Sequence, residues 1–236
     1  MPGTNSESDD AHFLRHPEVV ALFGPTLQAL VGESDRGAVL IAAQLVDNSL
    51  RRLFEELAPP DLSRKTLKSL LDYPGPLSTS SSKVNLAVLA RLVPAAVGKA
   101  IHRLREIRNA VAHSPDSFRL QDHTESLRQV FDIGPGVPVG VNRVALELLT
   151  RNVINHLLTV PHPLEGKPIF TSPEQIIDYL LEHRDLLDQL GEHQLRWELG
   201  IGVALLCGAI VFHRERTVKA LAGHGLVGDL FGQANS

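Results

Sequence analysis

Apolar residues recur along this chain at intervals of three and four, a spacing that predicts helices almost throughout. The clearest run covers residues 34–57. Val39, Ala42, Ala43, Val46, Leu50, Leu53, Phe54 and Leu57 share one face, Ser34 is placed to cap the start, and Pro59-Pro60 stops the run. Before it, residues 17–31 read as helix interrupted near Gly24-Pro25. After it come a short helix over 61–71, a Pro-, Gly- and Ser-rich loop over 73–82 and a helix over 83–92. Pro94 suits a first helical turn, and 94–113 form a long helix with Val97, Ile101, Leu104, Ile107 and Val111 inward. Ser114-Pro115 ends it, and 122–131 are helical again.

Gly134-Pro-Gly-Val-Pro-Val-Gly140 has the composition of a linker. The expected organisation is a loosely attached tail over 1–16, a helical domain over 17–133, a linker over 134–142 and a helical C-terminal extension over 143–236. Within that extension the spacing predicts helices over 144–159, 173–190 and 194–216, with Ser172 capping and Pro173 opening the second. The tail from Gly223 reads as loose. Together these predict an all-α fold.

Composition narrows the function classes. The net charge is −4, so any nucleic-acid contact has to come from a local patch and not from an overall positive field. Aromatic residues make up only 5% of the chain, too few for a stacking platform for single strands. Cys207 is the only cysteine, which excludes an intrachain disulfide and a cysteine-rich zinc site. The first ten residues are polar and acidic, unlike a secretory signal. Residues 199–212 form the longest uncharged apolar run. Fourteen residues fall short of the ~20 that span a bilayer, so the run reads as a buried helix in a cytoplasmic protein that inserts in no membrane.

The chemistry concentrates in Leu104-Arg-Glu-Ile-Arg-Asn-Ala-Val-Ala-His-Ser114. Asn109 and His113 are four apart and share a helix face, with Arg108 beside them. A guanidinium forks onto phosphate oxygens, and an imidazole moves protons near neutral pH. On RNA, the 2′-hydroxyl could attack its own phosphate, with His as acid or base and Arg stabilising the charged intermediate. No metal or cofactor is needed for that reaction. The same pattern recurs at Arg151, Asn152 and His156, so spacing alone does not single out the first copy. The competing structural reading pairs Arg108 with a carboxylate such as Asp47 and leaves His113 at the helix end.

Three blocks resemble the mannitol-operon-repressor-like (MltR-like) family within the HEPN superfamily of helical nucleotide- and RNA-associated proteins. They are Arg36-Gly-Ala-Val-Leu-Ile-Ala-Ala-Gln-Leu-Val-Asp47 with Leu50 and Phe54; Gly75-Pro-Leu-Ser78 with Lys83, Leu86 and Ala87; and the Leu104–Ser114 segment through Phe118. The resemblance covers residues 36–131 and implies a helical bundle. In active HEPN ribonucleases an Arg, a polar residue and a His of this pattern are catalytic. This implies a catalytic set of Arg108, Asn109 and His113 only. Lys83 and Arg105 are expected separately as substrate contacts. The expected function is a regulatory protein acting on RNA or nucleotides, with metal-independent endoribonuclease activity as its enzymatic form. The alternative is a non-catalytic protein-interaction module on the same scaffold, a transcriptional regulator or an antitoxin- or immunity-like partner. A homodimer is expected in either case, because a two-fold axis would bring a second Arg108 and His113 into one groove.

Other features read as structural. His12 and His16 have a chelating spacing but no third ligand nearby. Gly200, Gly202 and Gly208 read as points of close helix approach, since the strand of a dinucleotide motif is missing. The serine run 78–82 offers two readings, a backbone-amide nest for phosphate or a flexible loop capping the Lys83 helix, and the loop is the expected one. The clusters Arg51-Arg52, Arg64-Lys65-Lys68 and His102-Arg103-Arg105 read as solvated faces unless they converge near Arg108.

Overall fold

The computed structural model describes residues 13–113 and 118–223. Among these residues it is all-α, with nine helices, two short 3-10 turns and a single isolated bridge between Pro161 and Pro168. The helices are α1 (Pro17–Val31), α2 (Asp35–Leu57), α3 (Arg64–Leu71), α4 (Ser80–Leu89), α5 (Ala95–His113), α6 (Thr124–Val130), α7 (Val137–Leu157), α8 (Pro173–Glu182) and α9 (Arg184–Gly223).

Side-chain caps set several starts. Ser34 accepts the Gly37 amide, Ser63 that of Thr66, Thr79 that of Ser82 and Ser172 that of Gln175. The expected break near Gly24-Pro25 does not occur, and α1 runs through Pro25. Both residues face solvent, so the missing amide and the ring crowd only the exposed side. Val19, Thr26 and Leu30 hold the two halves on the core. The expected break between 190 and 194 is also absent. Gly191 sits exposed within a continuous α9, and the chain breaks earlier, at His183.

The domain expectation changes most. α7 starts at Val137, inside the expected linker, and only the turn ahead of it is irregular, with Gly136 at a left-handed φ of 75°. Val141 within the expected linker and Ala145 beyond it share one buried cluster with Leu50, Leu104 and Phe131 before it. The 134–142 segment therefore does not separate two cores. The C-terminal extension is not peripheral either, because α9 packs chiefly against α1, α2 and α7. Residues 13–16, expected within the loose tail, are tied down. The Phe13 ring meets Phe212 edge-on at 5.8 Å, and His16 Nε2 lies 2.8 Å from Glu215 Oε2. Residues 1–12, the Ser114-Pro115 stop and the tail after Gly223 lie outside the described residues.

The apolar run of α9 is buried as expected. Leu199, Ile201, Val203, Ala204, Leu206, Cys207, Ala209, Ile210 and Val211 are all covered. Its glycines bring neighbours in close. A methyl group on Gly202 would overlap the Phe131 ring, and one on Gly200 would lie 2.8 Å from Leu27 Cδ2. Burial pushes the Cys207 thiol up to about 11 against a weaker pull from Ser49, which leaves it an inert core group. By length and composition α9 is also long and apolar enough to cross a membrane, and most of its apolar window is covered by the bundle.

Buried polar groups fix the helices around this run. Arg214 lies between Glu18 of α1, at 2.6 Å, and Glu56 of α2, at 2.9 Å. Glu198 accepts from Asn142 of α7 at 2.7 Å and from Gln194 at 3.0 Å. Asp35, at the start of α2, accepts the Leu120 amide at 2.9 Å.

Val203 is fully covered, so Val203→Asp strands an unpaired charge inside the bundle. We expect a loss of about 3–5 kcal/mol in urea unfolding. A loss below about 0.5 kcal/mol would place this face of α9 at the surface.

Candidate functional site

Two helices carry a second stripe beside the one they bury. On α2, Val39, Ala42, Val46 and Leu50 face the core, while Leu40, Ala43, Gln44 and Asp47 lie one step around the helix. On α5, Ile101 and Leu104 continue into Arg105, Arg108 and Asn109 at the same spacing. The start of α4 lies alongside, with Thr79, Ser80 and Ser81. These residues line one cleft of ≈ 510 Å³.

Two of the three expected catalytic residues, Arg108 and Asn109, lie on the cleft wall. Arg108 is exposed, and its Nη1 donates to Asn109 Oδ1 at 3.3 Å. Arg105, an expected substrate contact, also lies on the wall. It is half-buried, and its Nε is covered and has no hydrogen-bond partner. Among the described residues no carboxylate pairs with either arginine. His113 is exposed at the end of α5 and does not line the cleft. His113 lies a full turn beyond Asn109, at the C-terminal end of α5.

Lys83 is placed differently from the expectation of a substrate contact. Its side chain is only 3% exposed, and Nζ donates to Asp47 Oδ2 at 2.8 Å. Lys83 sits behind the wall and neutralises Asp47, whose other carboxylate oxygen is covered and unpartnered. The competing Arg108–Asp47 pair does not form, and Asp47 pairs with Lys83 instead.

The remaining sequence features do not join the cleft. Arg151, Asn152 and His156 are exposed on α7, where Arg151 pairs with Glu147 at 2.9 Å. Arg51 is held by Glu55 and Asp72, and Arg103 by Glu106. Of the basic clusters only Arg105 reaches the cleft. His102 bonds Asn85 at 2.9 Å away from it, and burial, then Arg105, hold its pKa below the ordinary histidine value. His12 lies outside the described residues, so the chelating pair is not described as a pair.

The serine run is more ordered than its composition suggests. Thr79 Oγ1 accepts the Ser82 amide at 3.1 Å and starts α4 at Ser80. Gln44 was not among the expected site residues. Its signal was a polar residue three positions before Asp47 on an otherwise apolar-patterned helix.

No family model matches the sequence, and comparison with curated proteins finds no match. Among solved structures the chain is similar to one chain of the MtlR–HPr complex from Escherichia coli. The TM-score is 0.50 at 16% identity, over 80% of this chain and 98% of that one. The likeness reaches well past the expected linker, and the fold is MtlR-like.

The Lys83–Asp47 pair generates a test. Removing either partner leaves a largely covered charge alone, so Lys83→Met is expected to cost on the order of 2–4 kcal/mol. Adding Asp47→Asn should cost less than the sum of the two single changes, read in a urea double-mutant cycle. Additivity within about 0.5 kcal/mol would show that the pair carries no coupling.

Proposed function

We propose that this chain is a regulatory protein of MtlR-like fold that acts by binding a protein partner. The observation that carries this reading is the likeness, across most of both chains, to a protein solved as a complex with HPr. The site geometry is in keeping with it. Arg108 and Asn109 share the cleft, but His113, the proton carrier of the catalytic reading, does not line it. Binding therefore explains more of the arrangement than bond cleavage within one chain. A cytoplasmic setting belongs to this proposal.

Isothermal titration with HPr tests it. A saturable complex with a Kd of about micromolar order is expected for a transient regulatory contact. No heat up to about millimolar HPr would overturn the reading for that partner.

The exposed Arg108, which has no carboxylate partner among the described residues, favours a second reading, action on RNA or nucleotides. As a ribonuclease the chain would need a homodimer whose axis brings His113 of one copy towards Arg108 of the other. This reading expects a dimer mass in light scattering. It also expects RNA cleavage in EDTA that leaves 2′,3′-cyclic phosphate ends and is lost in His113→Ala. Equal residual cleavage by that variant and wild type would remove His113 from the chemistry.

A further inference from the structure

We infer that a second cavity, bounded by residues 13–14, α1, α5, α7 and α9, is a binding site for a small carboxylate with an apolar body, such as a medium-chain fatty acid. This goes beyond the partner reading and does not depend on it, and the cavity shares no lining residue with the cleft between α2, α4 and α5. Its volume of ≈ 610 Å³ lies within the usual range for small-molecule sites. Val137, Gly140 and Val144 of α7 line it at intervals of three and four, and so do Leu205, Ala209 and Phe212 of α9. Apolar stripes of this kind normally bury against one another. Here the small residues at 140 and 209 leave the space between them open, and a Cβ placed on Gly140 would meet nothing within 4 Å.

One group on this wall has a polar side chain, His213. Its carbonyl accepts from Thr217, while its ring nitrogens take no hydrogen-bond partner among the described residues. Burial, then Arg216, hold its pKa below the ordinary histidine value, so the imidazole at neutral pH is an uncharged donor. Arg216 follows three residues later, with its guanidinium 5.6 Å from the centre of the Phe212 ring. The charges next to it are already matched, Arg214 by Glu18 and Glu56, and Glu215 by His16. Among the described residues Arg216 has no carboxylate partner, and no carboxylate lines the cavity. A free N–H beside an uncompensated guanidinium, with hydrocarbon everywhere else, matches a ligand that has one anionic head and no other polar group.

The lining argues against other occupants. Nucleotides and sugars would strand their hydroxyls and phosphates against hydrocarbon. A carbon chain strands nothing there, and each covered methylene adds to affinity. The walls come from five segments of the chain, including the Phe13 ring held edge-on to Phe212 at 5.8 Å. That makes a concave lining suited to one small molecule more than to the flat side of another helix.

Titration calorimetry on the full chain with decanoate, decanol and acetate tests the site. Decanoate should saturate a single site, decanol should bind about tenfold more weakly, and acetate should give no heat. The His213→Leu, Arg216→Gln double variant should weaken decanoate by about tenfold and should not weaken decanol. Gly140→Leu guards against a folding artefact. It sends a branched side chain into the cavity from a helical position that favours leucine over glycine, so both ligands should be lost while the variant melts no lower than wild type. Equal decanoate affinity in wild type and Gly140→Leu would overturn the site, as would no saturable decanoate binding up to about 1 mM. Equal affinity of wild type for decanoate and decanol would overturn the carboxylate head. A dimer in light scattering that Gly140→Leu turns into a monomer, with no decanoate bound by wild type, would overturn the ligand in favour of a second copy. HPr binding is read separately, so either proposal can fail alone.

Discussion

Fourteen consecutive uncharged residues, 199–212, on one helix leave no face that water would solvate well. A helix of this kind has to be enclosed on every side, and that requirement organises the bundle. α1, α2 and α7 surround it, and the glycines at 200, 202 and 208 let Leu27, Phe131, and Val19 with Phe13 approach closer than any larger residue allows. The enclosing helices come from both halves of the chain. The C-terminal segment therefore acts as the post on which the N-terminal helices are mounted. At either end of the run the covered polar groups Glu198 and Arg214 take partners from α7, α1 and α2, which restricts how those helices can slide.

Much of this was legible in the sequence, and the failures have physical causes. Periodicity found α2 and α5 because each carries an apolar stripe between clear stop signals. Capping residues marked the starts of α2 and α8. Pro25 and Gly191 misled because a local breaker costs only a few kcal/mol or less, and packing of the flanking turns against a shared core outweighs it. Gly134–Gly140 misled for a related reason. Turn composition shows where the chain bends, but it carries no information on whether the two sides bury surface against each other. That depended on α9 returning to α1 and α2, a contact between residues nearly two hundred positions apart, such as Arg214 with Glu18.

The site was legible in part. Arg105, Arg108 and Asn109 were found, because their spacing puts them on one side of α5. Lys83 was misplaced because a lysine in a helix is usually solvated, and its burial follows from Asp47 on a different helix. His113 separates from the cleft for a reason local to the helix, since it lies a full turn beyond Asn109, at the C-terminal end of α5.

The cleft and the core are not independent, because α2 serves both. Its buried stripe, Val39, Ala42, Val46 and Leu50, helps cover α9, and the adjacent stripe, Leu40, Ala43, Gln44 and Asp47, forms the cleft wall. A rotation of α2 by one stripe would bury Gln44 and Asp47 and expose core residues. The energetic penalty for uncovering several apolar side chains sets the orientation of that wall more firmly than any contact within the cleft. Lys83 then carries this constraint onto α4, because its ammonium follows Asp47 and ties the helix whose start, Ser80 and Ser81, lines the same cleft. The geometry of the cleft is thus inherited from the packing of α9, more than 70 residues away in the chain. A site held in this way can be preorganised without any residue of the cleft contributing much to stability.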